Sequence, residues 1–146
     1  MWLTKSFNEL TTEELFSILY LRTRIFVVEQ NRVYQEVDLN DRQAIHIFNW
    51  IDGQVAAYAR VFKDGQQVTF GRVVTAPEYR GKGYGRDLMD HVMDTIKSHF
   101  PNLPIKIEAQ VQVADLYKKF GFMPQGAPFI FHSTSHIRMT HKPLAG

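Results

Sequence analysis

Val73-Val74-Thr75-Ala76-Pro77-Glu78-Tyr79-Arg80-Gly81-Lys82-Gly83-Tyr84-Gly85-Arg86 passes from an apolar, β-branched run through a glycine-rich loop into the start of an amphipathic helix. Glycines at the alternate positions 81, 83 and 85 let the main chain take φ > 0 and approach a ligand closely, so that successive N–H groups converge on one cluster of oxygens. The helix that follows adds about half a positive charge at its N-terminus. With Arg80, Lys82 and Arg86 as flanking cations, the segment reads as a site for a doubly charged pyrophosphate.

Spacing separates three phosphate-binding designs. A P-loop needs Gly-x-x-x-x-Gly-Lys-Ser/Thr, and no such run occurs. The dinucleotide fingerprint Gly-x-Gly-x-x-Gly needs its last glycine one place later, where Arg86 stands, and Pro77, Glu78 and Tyr79 intervene between strand and loop. Arg80, Gly83 and Gly85 satisfy Arg-x-x-Gly-x-Gly, and here the chain resembles the GNAT acetyltransferase superfamily, in which this loop cradles the pyrophosphate of coenzyme A.

A second stretch, Val113-Ala114-Asp115-Leu116-Tyr117-Lys118-Lys119-Phe120-Gly121-Phe122, reads as a short helix stopped at Gly121. It resembles the Ala, Leu-Tyr and Gly-Phe signature near the end of the GNAT core. In the first third, Leu21 to Gln30, Tyr34, Glu36, Asp38, Asp41 and His46 resemble the ElaA-like branch, as do Arg60, Gly71-Arg72-Val73, Ala109-Gln110 and His136-Ile137-Arg138-Met139. Two departures stand out. Phe131-His132-Ser133-Thr134-Ser135 replaces an acidic stretch of the branch at the acceptor end, and Gln110 stands where many relatives place an Asn.

Element signals follow the same order. Trp2 to Lys5 is a short strand, and Thr11 with Glu14 forms a capping-box signature ahead of a long helix carrying Leu15, Ile18, Leu19, Ile25 and Phe26. Glu29 to Arg42 lacks periodicity and reads as a loop or broken helix over a site. Ala44 to Ile51 and Gln54 to Phe62 flank Asp52-Gly53, a two-residue hairpin signal. Val68 to Thr75, the glycine loop, a helix from Gly85 to about Phe100 and a strand over Ile105 to Ala109 make a right-handed parallel crossover. Strands around Ala127 to Phe131 and Ser135 to Thr140 close the chain. The order is that of an α/β GNAT (acyl-CoA N-acyltransferase) fold, a mixed central sheet with flanking helices, in one domain over residues 1–146.

Composition narrows the function classes. A net charge of +2 with scattered basic residues gives no cationic stripe for nucleic acid. The absence of cysteine excludes a disulfide framework, a thiolate metal site and a cysteine nucleophile, and agrees with a cytoplasmic protein. No apolar run approaches the roughly 20 residues of a membrane span, and no signal-peptide core is visible. The histidines lack metal-ligand spacing, so no metal is expected. A monomer or homodimer fits equally.

The resemblance implies acetyl-CoA as co-substrate and a small-molecule amine as acceptor, with Val73, Val74, Thr75 and the whole loop Arg80-Gly81-Lys82-Gly83-Tyr84-Gly85-Arg86 contacting the coenzyme. It implies Tyr117 as the general acid toward the leaving thiolate and an N–H of Val73 or Val74 as the oxyanion donor. An alkyl amine of pKa ~10.4 is almost wholly protonated at pH 7, so a base is required. Many relatives carry a carboxylate for this on the strand before the loop, and Val68 to Thr75 has none. His46, on the neighbouring strand, is the first candidate, followed by Glu29 and His136, because histidine as a residue type titrates near neutrality. Arg60 and Arg72 lie on central strands and need Glu29, Glu36, Asp38 or a substrate anion as partner. Glu29, Tyr34, Arg60, Arg72 and His136 are therefore the expected acceptor-site residues. The missing carboxylate leaves one alternative, a non-catalytic acyl-CoA-binding or regulatory module of the same fold.

Overall fold

A computed structural model describes residues 1–146. The elements are β1 (Trp2–Ser6), α1 (Thr12–Arg22), α2 (Asn40–Gln43), β2 (Ile45–Ile51), β3 (Gln54–Asp64), β4 (Gln67–Thr75), α3 (Tyr84–His99), β5 (Ile105–Gln110), α4 (Ala114–Lys118), β6 (Met123–Phe131) and β7 (Thr134–His141). The strands form one sheet in the order β1-β2-β3-β4-β5-β7-β6. Every neighbouring pair is antiparallel except β4 with β5. This is the mixed sheet with flanking helices that the element order predicts. No helix is long and apolar enough to cross a membrane.

Local chemistry sets the boundaries. Glu14 N–H donates to Thr11 Oγ1 at 3.1 Å and Thr11 N–H to Glu14 Oε1 at 2.9 Å, so the capping box starts α1. Asp52 and Gly53 have φ of 50° and 74°, the pair of positive values that a tight β2–β3 hairpin requires. Past Arg22, α1 widens: Gln30 N–H reaches Ile25 O at 3.1 Å and Arg32 N–H reaches Val27 O at 3.0 Å, both five residues back. Helical character thus continues to Glu29, beyond the expected periodic positions.

Period-2 alternation sorts the strand side chains onto two faces. Ile47, Ala57, Ala59 and Val61 pack with Leu88, Met89, Val92 and Ile96 of α3. Phe48, Tyr58 and Val74 face the other way, against Ile18, Leu21, Ile25 and Phe26. β6 begins at Met123, four residues before its sequence signal at Ala127. Pro124, Gly126 and Pro128 hide it from a propensity reading, but it is an edge strand with a register shift between Gln125 and Phe129, the setting in which proline is tolerated.

One irregularity shapes the molecule. Arg60 pairs with Gly71 and Tyr58 with Val74, so β4 carries an extra residue, and Arg72 sits there with φ 53°. A bulge of this kind bends and twists its strand. β4 and β5 are in register only at Val68 and Ile105, and beyond that point they diverge.

The segment after α1 is fastened over this bulge by buried charge. Arg22, fully buried, donates from Nε to Glu36 at 2.9 Å and from Nη1 and Nη2 to Asp41 at 2.7 and 3.0 Å. Arg60 donates to both oxygens of Asp38 at 2.6 and 2.9 Å and to Asp41 at 2.9 Å. Arg72 Nη2 donates to Glu36 O at 2.9 Å. Its Nε lies 2.9 Å from Glu36 Oε2 but off the axis of a hydrogen bond, so that contact is an ion pair only. The partners anticipated for Arg60 and Arg72 are thus Glu36 and Asp38, joined by Asp41. Glu29 is not among them.

Burial would raise the Asp41 carboxyl, but the Arg22 hydrogen bonds and the Arg22 and Arg60 charges outweigh it and bring it from 3.8 to about 2. Asp41→Asn leaves two buried guanidinium groups undercompensated and should destabilise the fold by about 3–5 kcal/mol, read by urea denaturation at neutral pH. A depressed pKa contributes stability that is complete above the ordinary carboxylate value and is lost as pH falls toward about 2. The wild-type urea midpoint should therefore decline between pH 4 and 2 more steeply than that of the variant; parallel curves would show that Asp41 is not the group responsible.

Candidate functional site

Where β4 and β5 part, a cavity of about 1570 Å³ opens. It runs from Arg80 and Gly85 at one end, past Val73 and Tyr117, to Tyr34 and His136 at the other.

The first end is built from main chain. Gly81 and Gly83 have φ of 79° and 82°, whereas Gly85 lies inside α3 at an ordinary angle. A Cβ at Gly81 or Gly83 would meet no atom within 4 Å, so conformation and open approach, not internal crowding, favour glycine there. The third glycine serves differently: a Cβ at Gly85 would touch Leu116 Cδ2 at 3.8 Å, an ordinary contact. Gly83 caps α3, and the first intrahelical bond runs from Asp87 N–H to Gly83 O at 3.2 Å. The N–H groups of Tyr84, Gly85 and Arg86 consequently have no helical acceptor. Lys82 and Arg86 are exposed, the ammonium of Lys82 5.5 Å from the Tyr79 ring centre. Arg80 Nε donates to Thr75 O at 3.3 Å.

The middle of the cavity is the free edge of β4. Ala76 N–H donates to Ala56 O at 2.8 Å, and antiparallel pairs alternate, so Val74 exchanges its bonds with Tyr58. Val73 and Thr75 face the opening. That Thr75 O accepts from Arg80 agrees with this direction. Tyr117 borders the same space, 3% exposed, held edge-on to Phe70 at 5.5 Å. Burial raises its phenol above the ordinary tyrosine value, so it holds a proton at neutral pH.

At the far end the candidate bases separate. His46 is fully buried and does not line the cavity. Its Nε2–H donates to Asp41 O at 2.9 Å and its Nδ1 accepts from Tyr58 Oη–H at 2.6 Å, leaving no free nitrogen. Burial lowers its pKa, with Arg22 and Arg60 acting in the same sense against the pull of Asp41. The expectation that His46 takes a proton from an acceptor is therefore corrected: alternation along β2 turns it to the α1 face, into the ion network. Glu29 is half exposed, outside the cavity, and 3.8 Å from Arg80.

His136 does line the cavity. Its Nδ1 is 2.9 Å from Thr134 O, which can only accept, so Nδ1 carries the hydrogen and Nε2 keeps a lone pair. The ring is positioned by Phe129, stacked at 6.0 Å, and Phe131, edge-on at 5.6 Å. Tyr34 also borders the space; its hydroxyl is buried without a partner, and burial raises its pKa. Arg60 and Arg72 reach the cavity wall but are committed to the ion network. Gln110 exchanges hydrogen bonds with Gln30 at 3.0 and 3.2 Å, tying β5 to the end of the first helical segment. Arg32 and His132, absent from the sequence-based set, also line this end. Arg32 falls in a stretch without periodicity or a recognisable spacing, whereas His132 lies in the run Phe131 to Ser135 that the sequence sets apart at the acceptor end.

A family described as the acetyltransferase (GNAT) domain matches residues 10–143. The chain is similar to protein ElaA of Escherichia coli, 34% identical over 148 residues, covering 98% of this chain and 97% of that protein. The crystal structure of Escherichia coli ElaA superposes with a TM-score of 0.92 at 33% identity, covering 97% of this chain and 99% of that one. An acyl-CoA N-acyltransferase from Pseudomonas aeruginosa superposes with a TM-score of 0.90 at 34% identity, covering 96% and 97%.

If main-chain N–H groups form the anion cradle, Gly83→Val should weaken coenzyme A binding by more than about tenfold, because the side chain strains φ 82° and stands over the open approach. Lys82→Ala should cost no more than about threefold, since an exposed ammonium is screened. Calorimetry on folded variants checks the ranking, and the reverse order would refute a main-chain cradle.

Proposed function

Because the chain belongs to the GNAT acetyltransferase family, we propose that it transfers an acetyl group from acetyl-CoA directly to the amine of a small molecule. The observation that carries this reading is the continuity of one cavity from the α3 N-terminus, along the free edge of β4, to a histidine with an open nitrogen. A cavity that ended at Tyr117 would fit coenzyme binding alone.

Acetyl-CoA supplies an activated thioester. The residues present fit it: two left-handed glycines and the unpartnered N–H groups at the start of α3 suit the pyrophosphate, and the outward N–H and C=O groups of Val73 and Thr75 suit the amide-bearing arm. The Val73 N–H lies on the free edge, where it can hold the carbonyl oxygen as negative charge develops. Val74, the other candidate for that task, is spent on Tyr58.

His136 Nε2 takes the proton from the acceptor amine, directly or through one water. The Thr134 carbonyl on Nδ1–H keeps the tautomer that makes this possible and accepts a stronger bond as the imidazolium forms. Tyr117 gives its proton to the departing sulfur. Burial makes this phenol a weaker acid than an ordinary tyrosine, so it is protonated at neutral pH and yields its proton only as negative charge builds on the sulfur beside it. The tight aromatic seat on Phe70 and Phe122 fixes the phenol without placing a competing base beside it.

His136→Gln and Tyr117→Phe should each reduce kcat for acetyl transfer by roughly a hundredfold while leaving the coenzyme A dissociation constant within about twofold. His46→Gln should lower thermal stability with a smaller effect on kcat of the folded fraction. Thiol release from acetyl-CoA with a panel of amines, under single-turnover conditions, reads all three. Unchanged turnover in His136→Gln would dismiss it as the base. Coenzyme binding without turnover of any amine would favour a non-catalytic acyl-CoA-binding module.

A further inference from the structure

Resting on the acyl-transfer reading, we infer that the acceptor amine also carries an oxyanion group, a carboxylate or a phosphoryl group, which binds to Arg32. The side chains around the acceptor end do not balance in charge. Arg22, Arg60 and Arg72 are matched one for one by Glu36, Asp38 and Asp41. Arg32 is outside that set. It is only 4% exposed, and the groups that accept from it are neutral: His132 O at 3.1 Å, with weaker contacts to Gln30 Oε1 at 3.4 Å and Phe131 O at 3.5 Å.

A buried cation without an acid is costly, and a site that tolerates it gains most when an anion arrives. Arg32 lines the cavity, so an anion can reach it. Its guanidinium lies 4.4 Å from the centre of the Tyr34 ring and 6.0 Å from that of Phe131, a flat setting that holds the fork in a fixed plane. The hydroxyl of that same Tyr34 ring, buried with no acceptor of its own, offers a second donor. A planar fork and an idle O–H together recognise an oxyanion better than a neutral amine or an apolar group.

The acids on this side do not compete for the role: Arg60 holds both oxygens of Asp38, and Glu36 is held by Arg22 and Arg72. His136 stands against the same Phe131 ring, 5.6 Å away, so one small molecule can place its anion on Arg32 and its amine toward Nε2. Amine and anion on one short skeleton describe an amino acid or an amino-alkyl phosphate.

The test compares glycine, β-alanine and 4-aminobutanoate with their amides, and 2-aminoethyl phosphate with ethanolamine, in acetyl transfer from acetyl-CoA. In the wild type, kcat/KM for at least one anionic amine should exceed that of its neutral partner by about tenfold or more, chiefly through KM. In Arg32→Gln that ratio should fall to near one, and Arg32→Lys should restore part of it, as a point charge without the fork. Being a ratio, the readout is insensitive to the folded fraction of a variant. The carboxylate and phosphate pairs tell the two sources apart. Equal rates for acids and amides, or a ratio that survives Arg32→Gln, overturn the inference while leaving acyl transfer standing. If no amine is acetylated, acyl transfer falls instead, and calorimetry with 4-aminobutanoate and 2-aminoethyl phosphate on the coenzyme A complex decides the anion site: binding lost in Arg32→Gln supports it, and no binding by the wild type overturns it.

Discussion

A single residue in left-handed conformation in the middle of a central strand underlies the geometry of the cleft. Arg72, at φ 53°, is the extra residue of the β4 bulge, and an L-residue in that region costs about 1–2 kcal/mol. The cost is offset where the side chain goes: its guanidinium contacts the Glu36 backbone and carboxylate, and Asp38 beyond. The bulge bends β4, pairing with β5 stops after Val68, and the main-chain groups of Val73 and Thr75 are left facing a cavity. Regular pairing along β4 and β5 would have consumed those groups and closed the space.

The ion network thus does more than neutralise charge. It ties the segment carrying Glu36, Asp38 and Asp41 to β3 and β4, and so places Tyr34 and Arg32 opposite His136. His46 belongs to this same support. With Tyr58 donating to it and Asp41 O accepting from it, the ring completes a buried polar cluster in which each hydrogen has one place. Neutrality suits it there, because protonation would remove the Tyr58 bond and add a third cation beside Arg22 and Arg60.

Tyr117 and His136 reach the cleft from different layers. α4 is a five-residue helix stopped by Gly121 at φ 92°, and its short length turns Tyr117 inward over Phe70. His136 lies on β7, which enters the sheet between β5 and β6. The end of the cavity at the glycine loop is therefore built mainly from a continuous stretch of chain, residues 73–86, and the far end from segments well apart in sequence.

That difference explains what could be read from the linear chain. The glycine loop, the Tyr117 helix, the capping box at Thr11 and the Asp52-Gly53 hairpin are local: each depends on φ/ψ preferences or contacts within a few residues, so residue type and spacing suffice. The fold class follows from those elements in their order along the chain, whereas the entry of β7 between β5 and β6 is not written in that order. The choice among His46, Glu29 and His136 does not, since it turns on which face of a strand each side chain occupies after α1 and the ion network have packed. His46 and His136 are both strand histidines with one local signal between them; only tertiary packing buries the first under α1 and opens the second to the cleft. Arg32 was invisible for the same reason: a lone arginine in an aperiodic stretch acquires meaning when three other arginines have taken the available carboxylates, and that allocation is decided by distances across the fold.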